Sequence, residues 1–68
     1  MEYAIVAYDP VNLITTIQVT GCALETYIDT SGTTLNGPDY YALLDMVAQS
    51  VLTNMDPESP TYDPTLIG

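Results

Sequence analysis

The fold is decided by one stretch of sequence, LITTIQVT at residues 13–20. Side chains alternate between the two faces of a β-strand, so each face of this stretch can be read off directly. One face carries Leu13, Thr15, Ile17 and Val19. The opposite face carries Ile14, Thr16, Gln18 and Thr20. This pattern is typical of a strand with one side against a core, and the sequence therefore predicts a β-strand here.

The residues before this stretch predict a second strand and a turn. Residues 1–8, MEYAIVAY, are rich in residues that favour strands, and they are apolar on both faces. Such a strand is usually central or covered, so we expect one of these two positions for it. Residues 9–12, DPVN, form a turn, since Pro10 presets its backbone and Asn12 tolerates the left-handed region. The two strands and this turn predict a β-hairpin.

Residues 24–29, LETYID, fit two structures after the break at Gly21. A strand would bury one alternating set and expose the other; the buried set is Leu24, Thr26 and Ile28, and the exposed set is Glu25, Tyr27 and Asp29. A short helix would instead group Leu24, Tyr27 and Ile28. The helix would place two carboxylates one turn apart, which costs about 0.2–0.5 kcal/mol. We therefore favour a third strand, with the helix as the alternative.

One amphipathic helix follows, opened by Gly37-Pro38-Asp39, since proline and an acidic residue both favour a first turn. A helical step of 100° collects an apolar stripe of Tyr40, Leu44, Val47, Val51 and Met55, flanked by Leu43 and Ala48. The side opposite the stripe carries Asp45, Gln49 and Thr53. The helix should end before Pro57.

The sequence thus predicts an α+β fold: a small antiparallel sheet, made of the hairpin and the third strand, is packed by one helix. Residues 1–56 form the single domain. Residues 57–68 form a Pro-rich acidic tail, extended because its prolines resist helix and central strand alike. This tail is either mobile or docked through Tyr62, Leu66 and Ile67.

The composition excludes several classes of function. The chain has 68 residues with nine Asp and Glu and no Lys, Arg or His, for a formal net charge of −9. It therefore has no His or Lys general base, no Arg to bind phosphate, and no basic patch to bind nucleic acid directly. Its one cysteine, Cys22, can form no internal disulfide and cannot hold zinc without further ligands. We predict that the protein is not an enzyme and uses no cofactor or metal.

The charge and the short apolar runs also predict where in the cell the protein is found. The apolar run at residues 3–8 is far shorter than the roughly 20 residues that cross a bilayer, and an anionic leaflet would repel this chain. The N-terminus lacks the basic and long apolar regions of a secretory signal. We expect a cytoplasmic protein that does not bind membranes.

The carboxylates are the main clue to function, because no side chain of this protein can neutralise them. One interpretation is an acidic surface that keeps a small domain soluble. The other is a surface that binds a basic partner. The candidate partner-binding residues are Glu25, Tyr27, Asp29, Asp39, Tyr41, Asp45, Asp56 and Glu58. Mutual repulsion should also raise the pKa values of the carboxylates, so that stability falls as pH rises through their range.

In its small size, its acidity and its predicted hairpin and helix, the chain resembles phage-encoded DNA-mimic inhibitors of the anti-CRISPR and anti-restriction type. The resemblance lies in composition and size. It implies a non-enzymatic inhibitor that binds the basic nucleic-acid-binding surface of a host defence complex, a CRISPR effector or a restriction or repair enzyme, in the host cytoplasm. The alternative is a small structural subunit that forms homo-oligomers through its sheet edge and helix. A further alternative is an adaptor recognised through its Pro-rich tail.

Overall fold

Three strands form one antiparallel sheet with the alternating stretch in the middle. In the computed structural model, which describes residues 2–67, β1 spans Tyr3–Asp9, β2 spans Ile14–Val19 and β3 spans Thr26–Asp29. The order across the sheet is β1-β2-β3, and both neighbouring pairs are antiparallel. With the helix described next, this is the α+β fold that the sequence predicts.

The helix α1 spans Pro38–Met55, so the sequence places both of its ends correctly. It runs beside β2 in the same direction: Tyr40 near its start contacts Thr15 near the start of β2, and Met55 at its end lies beside Gly21. The apolar stripe faces the sheet as predicted. The buried apolar core consists of Tyr3, Ile17, Val19, Cys22, Ile28, Tyr40, Leu44 and Ala48.

The position of β1 corrects one expectation, because β1 is an edge strand and is neither central nor covered. Each strand pairs with the next one along the chain, which leaves the middle of the sheet to β2. The helix lies over β2, so the apolar side chains in the middle of β1 remain accessible. Ile5 is 44% exposed and Val6 is 46% exposed.

The turn between β1 and β2 also differs in detail from the prediction. Asp9 accepts hydrogen bonds from the backbone N–H groups of Val11 and Asn12, and the Asn12 side-chain amide donates to its second oxygen at 2.8 Å. Because Asn12 is tied to Asp9, the left-handed conformation falls one residue later, at Leu13 with φ of 58°.

The ambiguous segment is a strand, which excludes the helical alternative. The strand is shorter than predicted and begins at Thr26, so Leu24 lies outside it and is 53% exposed, contrary to the expectation that it is buried. Within the strand the predicted alternation is confirmed, since Ile28 is buried and Tyr27 and Asp29 are exposed.

A cluster of buried hydroxyl groups joins the start of α1 to the sheet. Thr15 Oγ1 lies 2.9 Å from the Tyr40 hydroxyl and 3.3 Å from Thr30 Oγ1, and Thr30 donates to the Leu13 carbonyl at 2.7 Å. Buried polar atoms are costly unless they are hydrogen-bonded, and each hydroxyl of this cluster has a partner. The cluster thus fixes the helix N-terminus over the sheet.

The tail docks on the domain. The backbone N–H of Asp63 donates to the Asn54 carbonyl in the last turn of α1, at 2.7 Å. A 3₁₀ helix at Pro64–Leu66 then brings Leu66, half-buried, against the core. Ile67 forms an antiparallel bridge with Cys22. Of the two states that the sequence allows for the tail, the docked one is observed, with Leu66 and Ile67 in contact as predicted.

Candidate protein-binding surface

Within residues 2–67, one face of the sheet has no second layer. Residues paired across neighbouring strands share a face, so the register separates the side that packs on α1 from the side that does not. Thr15, Ile17 and Val19 point toward α1 and are buried. We call the opposite side the open face; it consists of Ala4, Ala7, Asp9, Ile14, Thr16, Gln18, Tyr27 and Asp29.

Tyr27 is the most prominent side chain of the open face. It lies in the edge strand β3, opposite Thr16, and 72% of it is exposed. Thr16 in turn lies opposite Ala7 of β1, and Thr16 is itself buried although no helix covers it. Tyrosine offers a large apolar body with a polar tip, and tyrosines are enriched in the cores of protein interfaces. An exposed tyrosine on a flat, small-residue surface is a suitable anchor for a partner.

Carboxylates lie near this tyrosine. Asp29 follows it by two residues on the same face, which places the two Cα atoms roughly 7 Å apart. Ile14 pairs with Asp29 on one side and with Asp9 on the other, so the two aspartates stand two strand spacings apart, or about 10 Å. Glu25 is exposed directly before β3, two residues ahead of Tyr27. Tyr27 thus has one carboxylate on either side of it along the chain, and Asp9 lies across the sheet beyond Ile14.

Sequence reasoning missed Asp9 as a member of this surface. In a regular strand Asp9 would share the face of Tyr3 and Ile5, which looks toward α1. A β-bulge between Ile5 and Ala7 adds one residue to β1 and reverses the alternation after it. Asp9 is thereby moved to the open face. Nothing in the alternation of the sequence marks the bulge, so only the pairing register reveals this residue.

Local hydrogen bonds hold three aspartates in the charged form. We call Asp9, Asp29 and Asp63 the turn carboxylates. The side chain and backbone of Asn12 and the backbone of Val11 lower the pKa of Asp9 below its ordinary value of 3.8. Hydrogen bonds from Ser31 lower the pKa of Asp29, and those from Thr65 lower the pKa of Asp63. All three stay ionised further into acid than free aspartate.

This result reverses the sign of the expected pH dependence for the turn carboxylates. Repulsion was expected to raise carboxylate pKa values, but hydrogen bonds donated by nearby backbone and side-chain groups lower the pKa at these three sites and outweigh the small opposing effect of desolvation. A group whose pKa is lower in the folded state stabilises it above the ordinary pKa and loses that effect as pH falls. The turn carboxylates therefore favour the folded state at neutral pH.

The predicted residues of the helix lie away from Tyr27. Asp39 is exposed in the first turn of α1 and Tyr41 is 44% exposed, with its hydroxyl donating to Asn36 Oδ1 at 3.2 Å. Asp45, expected opposite the apolar stripe, accepts a 2.8 Å hydrogen bond from the Tyr3 hydroxyl of β1. Because α1 covers the face of the sheet opposite Tyr27, these side chains belong to a different side of the molecule.

The last two predicted residues follow the helix. Asp56 accepts a hydrogen bond from the backbone N–H of Glu58 at 3.0 Å, and both residues are exposed. The eight predicted residues thus lie in three places, and the structure brings together Glu25, Tyr27 and Asp29 but separates them from the others. Among the tyrosines of residues 2–67, Tyr27 is the most exposed, and carboxylates lie near it on the open face.

Hydrogen bonds within the chain engage most of the carboxylates. Those that accept one are Glu2, Asp9, Asp29, Asp45, Asp56 and Asp63. Within residues 2–67, Glu25, Asp39 and Glu58 accept none by the same geometry. No cationic side chain of this chain can neutralise a carboxylate, because the sequence has no Lys, Arg or His. Any cationic side chain that pairs with the carboxylates must come from another molecule.

Other kinds of site are absent from residues 2–67. Over residues 2–67 no cavity opens, and no group of three Asp, Glu or Cys side chains is placed to hold a metal ion. No helix in the described part of the chain is long and apolar enough to cross a membrane. No family model, no curated protein and no solved structure matches this chain.

Proposed function

We propose that this protein is a non-enzymatic inhibitor whose open face binds the basic surface on which another protein holds nucleic acid. The observation that carries the proposal is Tyr27, 72% exposed on the open face, with Glu25 and Asp29 two residues to either side of it and Asp9 across the sheet. A nucleic acid presents anionic groups around flat aromatic bases. The open face offers the same two elements, carboxylates and an aromatic ring.

The charge of the chain supports a basic partner. A domain with a net charge of −9 and no cationic side chain carries unrelieved self-repulsion. A surface rich in Lys and Arg relieves that repulsion when it binds. Opposite potentials also guide the two molecules together and speed their association. The grooves in which proteins hold nucleic acid are surfaces of this kind.

The turn carboxylates support the same proposal. Asp9 and Asp29 are held in the charged form by hydrogen bonds to their own turns, and those turns also fix where the carboxylates stand. A surface whose charges are already oriented loses less entropy on binding than one with free side chains. This argument applies to Asp9 and Asp29 because both lie on the open face, one on either side of Ile14.

The protein would then inhibit its partner by occupying the basic groove. While the open face lies in the basic groove, nucleic acid cannot enter, and no bond is made or broken. The partner is a CRISPR effector, a restriction enzyme or a repair enzyme, and binding takes place in the cytoplasm of the host cell. The affinity should fall as salt rises, because ions screen both surfaces.

The experiment is a displacement assay on purified CRISPR effectors, restriction enzymes and DNA glycosylases. A fluorescent duplex is bound to each, the protein is added, and release of the duplex is measured at 50 and 300 mM salt. We expect release from at least one partner, with an affinity that is weaker at the higher salt. Tyr27→Ala should weaken release, while Tyr41→Ala, on the helix side, should not.

Two results would contradict the proposal. The first is a panel in which the protein releases no duplex even at low salt. The second is release that is unchanged by salt and by Tyr27→Ala, since binding would then use neither the charges nor the ring of the open face.

A further inference from the structure

The free edge of β1 is the second unusual surface of this protein. In the described part of the chain β1 pairs with β2 on one side only, so the backbone groups along its other side have no strand of this chain to bond to. Ile5 and Val6 are both more than two-fifths exposed in the middle of this strand. An exposed apolar edge strand is a template for pairing with another strand, and proteins usually protect such edges.

The sequence of this edge is nearly the same in both directions. Residues 3–8 read YAIVAY, so reversing the segment exchanges Tyr with Tyr, Ala with Ala, and Ile with Val. If two copies of β1 pair antiparallel about the midpoint between Ile5 and Val6, residues of equal or similar size meet across the pair. Tyr3 then faces Tyr8 of the second copy, and Ala4 faces Ala7 of the second copy.

The β-bulge makes this pairing sterically consistent. Two-fold pairing within one sheet requires partner residues to share a face, and in a regular strand Tyr3 and Tyr8 point to opposite faces. The bulge between Ile5 and Ala7 reverses the alternation. Tyr3 pairs with Val19 and Tyr8 with Thr15, so both tyrosines lie on the face toward α1. The bulge interrupts the edge locally, and the residues on either side of it supply the ladder.

The bulge places the alanines in the same way. Ala4 pairs with Gln18 and Ala7 with Thr16, and both of these β2 residues belong to the open face. Ala4 and Ala7 therefore share the open face as well. Without the bulge, the reversed sequence would match by residue type but not by face.

The charges nearby favour a second copy over other occupants. Residues 3–8 carry no charge, whereas the other edge strand, β3, ends in Asp29 and directly follows Glu25. The carboxylates closest to β1 accept hydrogen bonds within the chain. Asp45 accepts one from the Tyr3 hydroxyl, Glu2 accepts a 2.7 Å bond from Gln49 of α1, and Asp9 is tied to its own turn. Two copies of so acidic a chain repel each other least where they meet along uncharged residues, and residues 3–8 provide such an edge.

We propose that a second copy of this chain pairs with β1 and forms a two-fold dimer with a continuous six-stranded sheet. A two-fold interface uses the same patch on both copies, which is what a reversible sequence provides. Both helices then lie on one side of the sheet and both open faces on the other. The two Tyr27 side chains stand about 24 Å apart across the five strand spacings. Formation of the dimer does not require a basic partner.

The first experiment measures mass by sedimentation equilibrium over a range of concentrations. We expect a shift from 7.4 kDa toward twice that value, and tighter association at high salt because salt screens the repulsion between two anionic chains. Val6→Glu should weaken the dimer about 100-fold, tenfold for each buried carboxylate, which is 1.4 kcal/mol per factor of ten. The matched control is Val11→Glu in the exposed turn, which should leave the dimer unchanged.

The second experiment tests the register. The variants Ala4→Cys and Ala7→Cys are purified separately and oxidised alone or as a mixture. The proposed pairing puts residue 4 opposite residue 7 of the second copy, so the mixture should form a disulfide-linked dimer and each variant alone should not. The native chain, whose Cys22 is buried, is the control for unspecific oxidation.

Each outcome decides the proposal. A chain that stays at 7.4 kDa at every concentration and salt overturns it. A dimer that Val6→Glu and Val11→Glu weaken equally also overturns it, as does a mixture that forms no disulfide. Neither experiment involves a basic partner. A failure of the dimer and a failure of the proposed inhibition are therefore separate results.

Discussion

The two adjacent tyrosines at the start of α1 allow a matched test of the buried hydroxyl cluster. Tyr40 is 2% exposed, and its hydroxyl is one of two hydroxyl partners of Thr15 Oγ1, at 2.9 Å. Tyr40→Phe removes that partner and leaves Thr15 with Thr30 at 3.3 Å. Thr15 is fully buried, so water cannot replace the lost bond. We expect a loss of about 1 kcal/mol in the free energy of unfolding.

Tyr41→Phe is the control, since it removes the same atom from a neighbouring ring. Tyr41 is 44% exposed, and water can replace its bond to Asn36, so the expected change stays within about 0.5 kcal/mol. Both variants keep the edge-to-face contact of the two rings. For a domain of this size, 1 kcal/mol lowers Tm by about 4–8 °C.

The assay is urea unfolding followed by circular dichroism, with thermal melts as a second measure. With a slope of about 1 kcal/mol per M, Tyr40→Phe should lower the urea midpoint by about 1 M. If the two variants lose the same stability, or if Tyr40→Phe loses none, the hydroxyl cluster does not hold the helix to the sheet and our reasoning is wrong.

Two further predictions concern pH and one glycine. Stability should fall as pH drops below 3.8, where the turn carboxylates become protonated, and as pH rises from 10 toward 12, because burial and the Asp45 hydrogen bond raise the pKa of Tyr3 to about 12. Urea midpoints against pH measure both limbs, and Tyr3→Phe should remove the component that titrates near pH 12; an unchanged alkaline limb would contradict this. Gly21→Ala should cost about 1 kcal/mol, because φ is +82° and the added methyl carbon would lie 3.3 Å from Met55; a thermal melt equal to that of the native chain would refute it.

The sequence predicts those parts of the fold that depend on local signals. The alternation at residues 13–20 identifies β2, and Pro38 and Pro57 bracket the helix, because strand faces and helix ends are set by neighbouring residues. The edge position of β1, by contrast, depends on which strands pair with it, and local sequence does not determine that. Apolar residues on both faces suggested a covered strand, but in the chain alone they remain exposed.

The candidate surface is only partly visible in the sequence. The predicted alternation is correct within residues 26–29 and places Tyr27 and Asp29 on one exposed face, whereas it fails at Leu24, before the strand begins. Asp9 enters the surface only through the bulge in β1. The hydrogen bonds of Asp45 and Glu2 depend on the distant residues Tyr3 and Gln49, which no local pattern indicates.

The central claim is that the open face, and not the total charge, recognises the partner. Two double variants separate these ideas, because each removes one Asp and one Glu and changes the net charge from −9 to −7 (−9 + 2). Glu25→Gln with Asp29→Asn alters the open face, and Asp39→Asn with Glu58→Gln alters other sides. Asn at position 29 can still accept the bond from Ser31, so the turn is preserved.

The deciding measurement is the affinity of both double variants for the partner found in the displacement assay, at one fixed salt concentration. We predict that the open-face variant binds about tenfold more weakly than the native chain while the other variant stays within about twofold. Equal weakening by both variants would mean that only total charge matters, and it would contradict the assignment of binding to the open face.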